Sequence, residues 1–100
     1  MKTDGAKYDD GKRKWNLIFP LFPVIDDVIK VLEYGAKKYD ENNWIKVKNG
    51  FVRYINAAFR HLFARCCGEI NDKESSLPHM AHAICSLMFA FHFDKRPTKV

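Results

Sequence analysis

Three stretches of this chain repeat apolar residues at helical spacing. Val24, Ile25, Val28, Val31 and Leu32 predict a first helix over about Pro23 to Tyr34. Pro23 suits a first turn, Asp26 and Asp27 fall where the helix dipole favours negative charge, and Gly35 is the expected stop. Phe51, Ile55, Phe59, Leu62, Phe63 and Cys66 form a second amphipathic stripe, giving a helix from about Phe51 to Cys67. The Asn49-Gly50 turn signal introduces it and Gly68 ends it. A third helix opens at Pro78 and runs to about Phe93. It is apolar almost all round, which predicts the central position in the fold. Between the last two helices lies an acidic loop, Gly68 to Leu77, with Ser75 and Ser76 as candidate N-caps. No segment sustains the two-residue alternation of a strand. The expected fold is all-α: a small bundle of three main helices in a single domain over residues 1–100. A basic N-terminal arm (1–16) and a C-terminal tail (94–100) flank it.

Composition adds two things. The 14% of aromatic residues among 47% apolar ones is more than three helices cover, so the bundle is expected to be completed by homo-oligomerisation, with sites near the subunit interface. The net charge of +5 suits a phosphate-bearing partner. Lys2, Lys7, Lys12, Arg13 and Lys14 crowd the start, and Lys95, Arg96 and Lys99 the end. Such an arm, carrying the single aromatic anchor Trp15, either folds over a phosphate or frays at the surface. Basic and aromatic residues are not interleaved along one helix, which argues against nucleic acid as the partner. Three cysteines, Cys66, Cys67 and Cys85, do not make a disulfide framework and point to a reducing cytoplasm. Cys67 and Cys85 read as small core residues. The polar, basic start does not resemble a signal peptide, and the most apolar run, Ala83 to Phe93, is too short to span a bilayer.

Candidate chemistry gathers in two places. Folding the last two helices back about a midpoint between Asn71 and Asp72 puts His61 and His82 at equal depth, with His79 one turn from His82 on the same face. Some of Glu69, Asp72 and Glu74 should then meet the three rings. A lone histidine on an apolar face is usually a satisfied core residue, but this constellation favours a metal or acid/base site. The second place is the stretch Gly35 to Asn49, where Lys37, Lys38, Tyr39, Asn42, Asn43 and Trp44 supply cations, amides and flat rings. These are the parts that hold phosphate, sugar and base; a surface loop pinned by Tyr39 and Trp44 is the plainer alternative.

Taken together, Lys7-Tyr8-Asp9-Asp10-Gly11-Lys12, Gly35-Ala36-Lys37-Lys38-Tyr39, Asn43-Trp44, Arg60-His61, Gly68-Glu69, and Asp72 through His79 followed by His82-Ala83 resemble the phage and bacterial dATP/dGTP diphosphohydrolase N-terminal domains. Those are similar in kind to the MazG-like all-α nucleotide pyrophosphohydrolases. The family usually carries glycine where this chain has Ser76. The MazG-like enzymes bind magnesium through paired acidic motifs, and His79 and His82 stand about where the second pair would fall.

The resemblance implies cleavage of dATP or dGTP to monophosphate and pyrophosphate in a host or phage-infected cytoplasm. It implies a divalent metal (Mg²⁺ or Mn²⁺, with Zn²⁺ suited to the histidines) held among Glu69, Asp72, Glu74, His79 and His82. His61, His79, His82 and Glu69 would then carry the catalysis, and Lys12, Lys37, Lys38, Tyr39, Asn43, Trp44 and Arg60 would bind the nucleotide. Two other classes stay open: a protein that holds a nucleotide or nucleotide-derived signal without cleaving it, and, less favoured, a helical nucleic-acid-binding module.

Overall fold

The computed structural model describes residues 4–96. The charges at Lys2 and Lys99 and the stop at Pro97 lie outside the described residues. Three α-helices form: α1 (Phe22–Lys38), α2 (Gly50–Cys66) and α3 (His79–Lys95). Two 3₁₀ segments, Trp15–Leu21 and Asn43–Lys46, precede α1 and α2. Among the described residues there is no strand; the one β-like feature is an antiparallel bridge between Asn71 and Pro78. The all-α, three-helix expectation is met. So is the central role of α3, which packs along α2 and also against α1. It contributes Ala81, Ala83, Cys85, Ala90 and Phe93 to the buried set, and α1 adds Val28 and Val31 opposite Ala81 and Cys85.

One helix end and one expected cap differ from the sequence reading. The first helix does not stop at Gly35 but continues to Lys38, capped by Tyr39, whose N–H bonds the Gly35 carbonyl. A mid-helix glycine costs only about 1 kcal/mol. Lys37 and Lys38 at the carboxyl end favour the dipole there, and Lys38 is tied to Glu74 at 3.0 Å. Neither Ser75 nor Ser76 caps α3: the residue preceding the helix is Pro78, without a side-chain cap bond. Ser75 is used inside the loop instead. Cys85 is buried as expected, but Cys67, just beyond α2, is exposed. Trp15 is 76% exposed rather than an anchor.

The turn from α2 into the loop is a Schellman motif. Gly68, at φ +103°, directs its N–H to the Arg65 carbonyl, and Glu69 N–H reaches the Ala64 carbonyl at 3.1 Å. Asp72 N–H then bonds Leu77 O at 2.8 Å, and His79 N–H bonds Ile70 O at 2.9 Å. These two bonds close the loop and place Glu69 beside His79. Ser76 sits at φ +62°, a left-handed conformation that glycine adopts without penalty. The N-terminal turn is present too: Lys12 N–H bonds Asp9 O, with Gly11 at φ +78°.

At the other end of α2, Asn49 takes a left-handed φ of +55° and Gly50 begins the helix against the Phe93 ring. A Cβ on Gly50 would overlap that ring, and Phe93 is itself only 5% exposed. Gly50→Ala should therefore destabilise the fold by about 1–3 kcal/mol through overpacking, measured as a lower urea midpoint with an unchanged slope.

Candidate active site

The three histidines converge. His61 stands on α2, His79 begins α3 and His82 follows one turn later. His61 and His82 stack with centroids 4.6 Å apart and rings 10° from parallel. His61 Nδ1 lies 2.9 Å from His79 Nδ1. His79 Nε2 lies 2.6 Å from Glu69 Oε1. Asp72 Oδ2 accepts from Ser75 N–H at 2.9 Å and from the Ser75 hydroxyl at 3.1 Å, and that hydroxyl lies 2.7 Å from His82 Nε2.

These contacts assign the protons. A carboxylate only accepts, so His79 carries its proton on Nε2 toward Glu69. The single hydroxyl proton of Ser75 goes to Asp72, so His82 donates from Nε2 and keeps its lone pair on Nδ1. His79 Nδ1 is then a lone pair facing His61. Burial, followed by the neighbouring rings of His82 and His79, lowers the pKa of His61. Burial likewise lowers that of His82. Burial pushes the Asp72 carboxyl up, but the two Ser75 hydrogen bonds with the flanking His82 and His61 outweigh it and leave the pKa lowered. One ligand atom from each of His61, Asp72 and His79 lies within 4.8 Å of the others.

His61, Asp72 and His82 open onto a cavity of about 840 Å³ between the end of α1, the second 3₁₀ segment and α3. Lys38, Tyr39, Asn43, Trp44 and Glu74 also line it. Lys38 Nζ holds both Glu74 oxygens at 3.0 Å. Glu74 is drawn below its usual pKa by Tyr34 and then by Lys38. Trp44 stacks on Phe89 at 4.5 Å, so one face of its ring is occupied. His79 and Glu69 are not among the residues lining the cavity. Lys12, Lys37 and Arg60 are exposed and outside the lining. Sequence reasoning assigned no site role to Ser75 or Tyr34. The Asp72-x-x-Ser75 spacing, an Asx-type turn signal, could have shown the first; nothing local marked Tyr34.

The pH dependence of stability follows from the lowered values of His61 and His82. Their folded pKa values lie below the ordinary 6.5, so below that value the unfolded chain binds more protons. Stability is full above it and falls as pH drops through it toward the folded values. Melting temperature should decline between about pH 7.5 and about pH 5.5, and the decline should shrink in a His61→Asn, His82→Asn double variant.

Comparison with known proteins places the chain's sequence in a family. No solved structure matches the chain at a significant level. A dATP/dGTP diphosphohydrolase from Salmonella phage PMBT28 is 38% identical over 95 residues, covering 94% of this chain but 31% of the phage protein. The chain thus spans about a third of that relative. The profile described as dATP/dGTP diphosphohydrolase, N-terminal, matches residues 2–100, and the chain belongs to that family.

Proposed function

We propose that the protein hydrolyses purine deoxynucleoside triphosphates to monophosphate and pyrophosphate in the cytoplasm of the host cell. The observation carrying this is the joining, in one cavity, of the His61–Asp72–His82 wall to the cationic, amide-bearing and aromatic wall of Lys38, Tyr39, Asn43 and Trp44. The name of the phage relative supports the substrate class. In this reading Lys38 takes phosphate oxygens when a polyphosphate displaces Glu74. Tyr39 and Trp44 flank the base, and Asn43 meets its edge. Water oxygen bonds to the α-phosphorus, the bond to the α–β bridging oxygen breaks, and pyrophosphate leaves. The water's proton passes to His82 Nδ1, its basic nitrogen in this network. An all-oxygen magnesium site does not fit the loop. Glu69 is bound to His79 and Glu74 to Lys38. Lys12, Lys37 and Arg60 contribute only a positive field.

Incubating the 100-residue protein with dATP, dGTP, dCTP and dTTP should release pyrophosphate from the purine substrates in preference. Lys38→Ala should raise KM roughly 10- to 150-fold, the equivalent of one charged hydrogen bond of about 1.5–3 kcal/mol. Glu74→Gln should lower KM by freeing Lys38. Tight binding without turnover would instead mark a protein that sequesters its nucleotide.

We also propose that the bundle is completed by further copies. The radius of gyration is 18.1 Å, against about 13 Å for a compact chain of this length. Phe59 and Phe63 on α2 and Met80, Leu87 and Phe91 on α3 are all exposed. Multi-angle light scattering at micromolar concentration should give a dimer or larger species, and Phe59→Glu with Phe63→Glu should shift it toward monomer. A wild-type monomer would refute this.

A further inference from the structure

One contact in the histidine cluster sets nitrogen against nitrogen. His61 Nδ1 and His79 Nδ1 are 2.9 Å apart. His79 is 4% exposed, and its proton is committed through Nε2 to Glu69. Its Nδ1 lone pair therefore points at His61. Two lone pairs do not approach this closely unopposed, so a proton or a cation lies between them. In the metal-free molecule the His61 Nδ1 proton serves.

A cation serves as well. With metal–nitrogen bonds of about 2.0–2.1 Å, two imidazoles on one ion stand about 2.9 Å apart at a right angle and about 3.4 Å apart in a tetrahedron. His61 becomes a ligand without change of charge by moving its proton from Nδ1 to Nε2. Asp72 supplies the third donor. Both Ser75 bonds fall on its Oδ2, which leaves Oδ1 for an ion. One ligand atom from each of the three residues already lies within 4.8 Å of the others, so loading closes the widest pair by at most about 1.4 Å to reach the tetrahedral spacing.

We propose that His61, His79 and Asp72 bind one divalent transition-metal cation of the zinc, cobalt or manganese class, with Glu69 as the outer carboxylate that orients His79. Two nitrogens and one oxygen are a donor set for such ions and a poor one for magnesium, which prefers oxygen throughout. The outer carboxylate on a ligating histidine fixes its tautomer and raises its basicity. Two of the three ligands are set before the ion arrives: His79 by burial and Glu69, and His61 by its stack on His82. His61 and Asp72 border the cavity, so the coordination positions left open face it. The inference stands apart from the nucleotide reading, because metal binding requires no turnover.

The test is calorimetric titration of the chelator-stripped 100-residue protein with Zn²⁺, Mn²⁺ and Mg²⁺, and with Co²⁺ followed by visible absorption. One equivalent of zinc or cobalt should bind at micromolar concentration or below, and magnesium should not. Glu69→Gln keeps all three donors and should weaken binding about 10–100-fold. His61→Asn and Asp72→Asn should weaken it further. His92→Ala, remote from the cluster, should leave it unchanged. Circular dichroism checks that each variant is folded; should His79→Ala fail to fold, Glu69→Gln and His61→Asn carry the decision. The proposal is overturned if none of the transition metals binds stoichiometrically. It is overturned equally if folded Glu69→Gln and His61→Asn bind as the wild type does, or if His92→Ala loses the ion.

Discussion

A buried histidine with both ring nitrogens engaged ties the helical hairpin together. His79 is held by Glu69 on one side and by His61 on the other. Leaving either nitrogen unpartnered at this depth would cost about 1–3 kcal/mol. Satisfying both requires the end of α2, the first residues of the loop and the start of α3 to meet at one point. The Schellman turn at Gly68 does this on one side, and the bond from His79 N–H to Ile70 O on the other. The rest of the site hangs from that arrangement. The stack of His61 on His82 sets the second ring, and Ser75 couples that ring to Asp72.

The helices were legible because each carries its own periodicity, and the meeting of the histidines because an antiparallel hairpin has only one midpoint. What lay outside reach was what depends on tertiary partners. Gly35 reads as a terminator, yet Lys38 gains Glu74 by staying helical, and a contact across 36 positions has no local signature. Cys67 fits the apolar stripe of α2, but the helix has ended by then and the residue faces solvent. Trp44 was visible as a flat ring in a cationic loop; that Phe89 already covers one face follows from the packing of the second 3₁₀ segment on α3. The allocation of carboxylates was equally hidden. Glu69, Asp72 and Glu74 sit within a few residues of one another, yet each turns to a different basic or hydroxyl partner.

That allocation gives the cavity two kinds of wall. At the hairpin the polar groups satisfy one another through fixed tautomers. Across the cavity, Lys38 and Glu74 form an exposed pair: Glu74 and then Tyr39 raise the Lys38 pKa, and Tyr34 and then Lys38 lower that of Glu74. Exposed pairs of this kind contribute little to stability, so this one opens to a competing anion at little cost to the fold. In the proposed reaction the rigid wall would hold the reacting groups and the exchangeable wall would receive the ligand. Cys85, between them on α3, is kept out of this chemistry by burial, which raises its thiol pKa to about 11.

The bridge between Asn71 and Pro78 also bears on how the chain tolerates changes of length. Glu69 and His79 stand just outside the bridge, while Asp72 and Ser75 stand just inside it. An added or deleted residue within 72–77 would shift Asp72 and Ser75 against His82. One between Glu69 and the bridge would part Glu69 from His79. A peptide tag, a reporter domain or new chain termini therefore have no neutral position in this loop, although much of it is exposed. The connection from α1 to α2 contributes to the cavity only as far as Trp44. The exposed residue Lys48, beyond that point, is where such an addition does least harm.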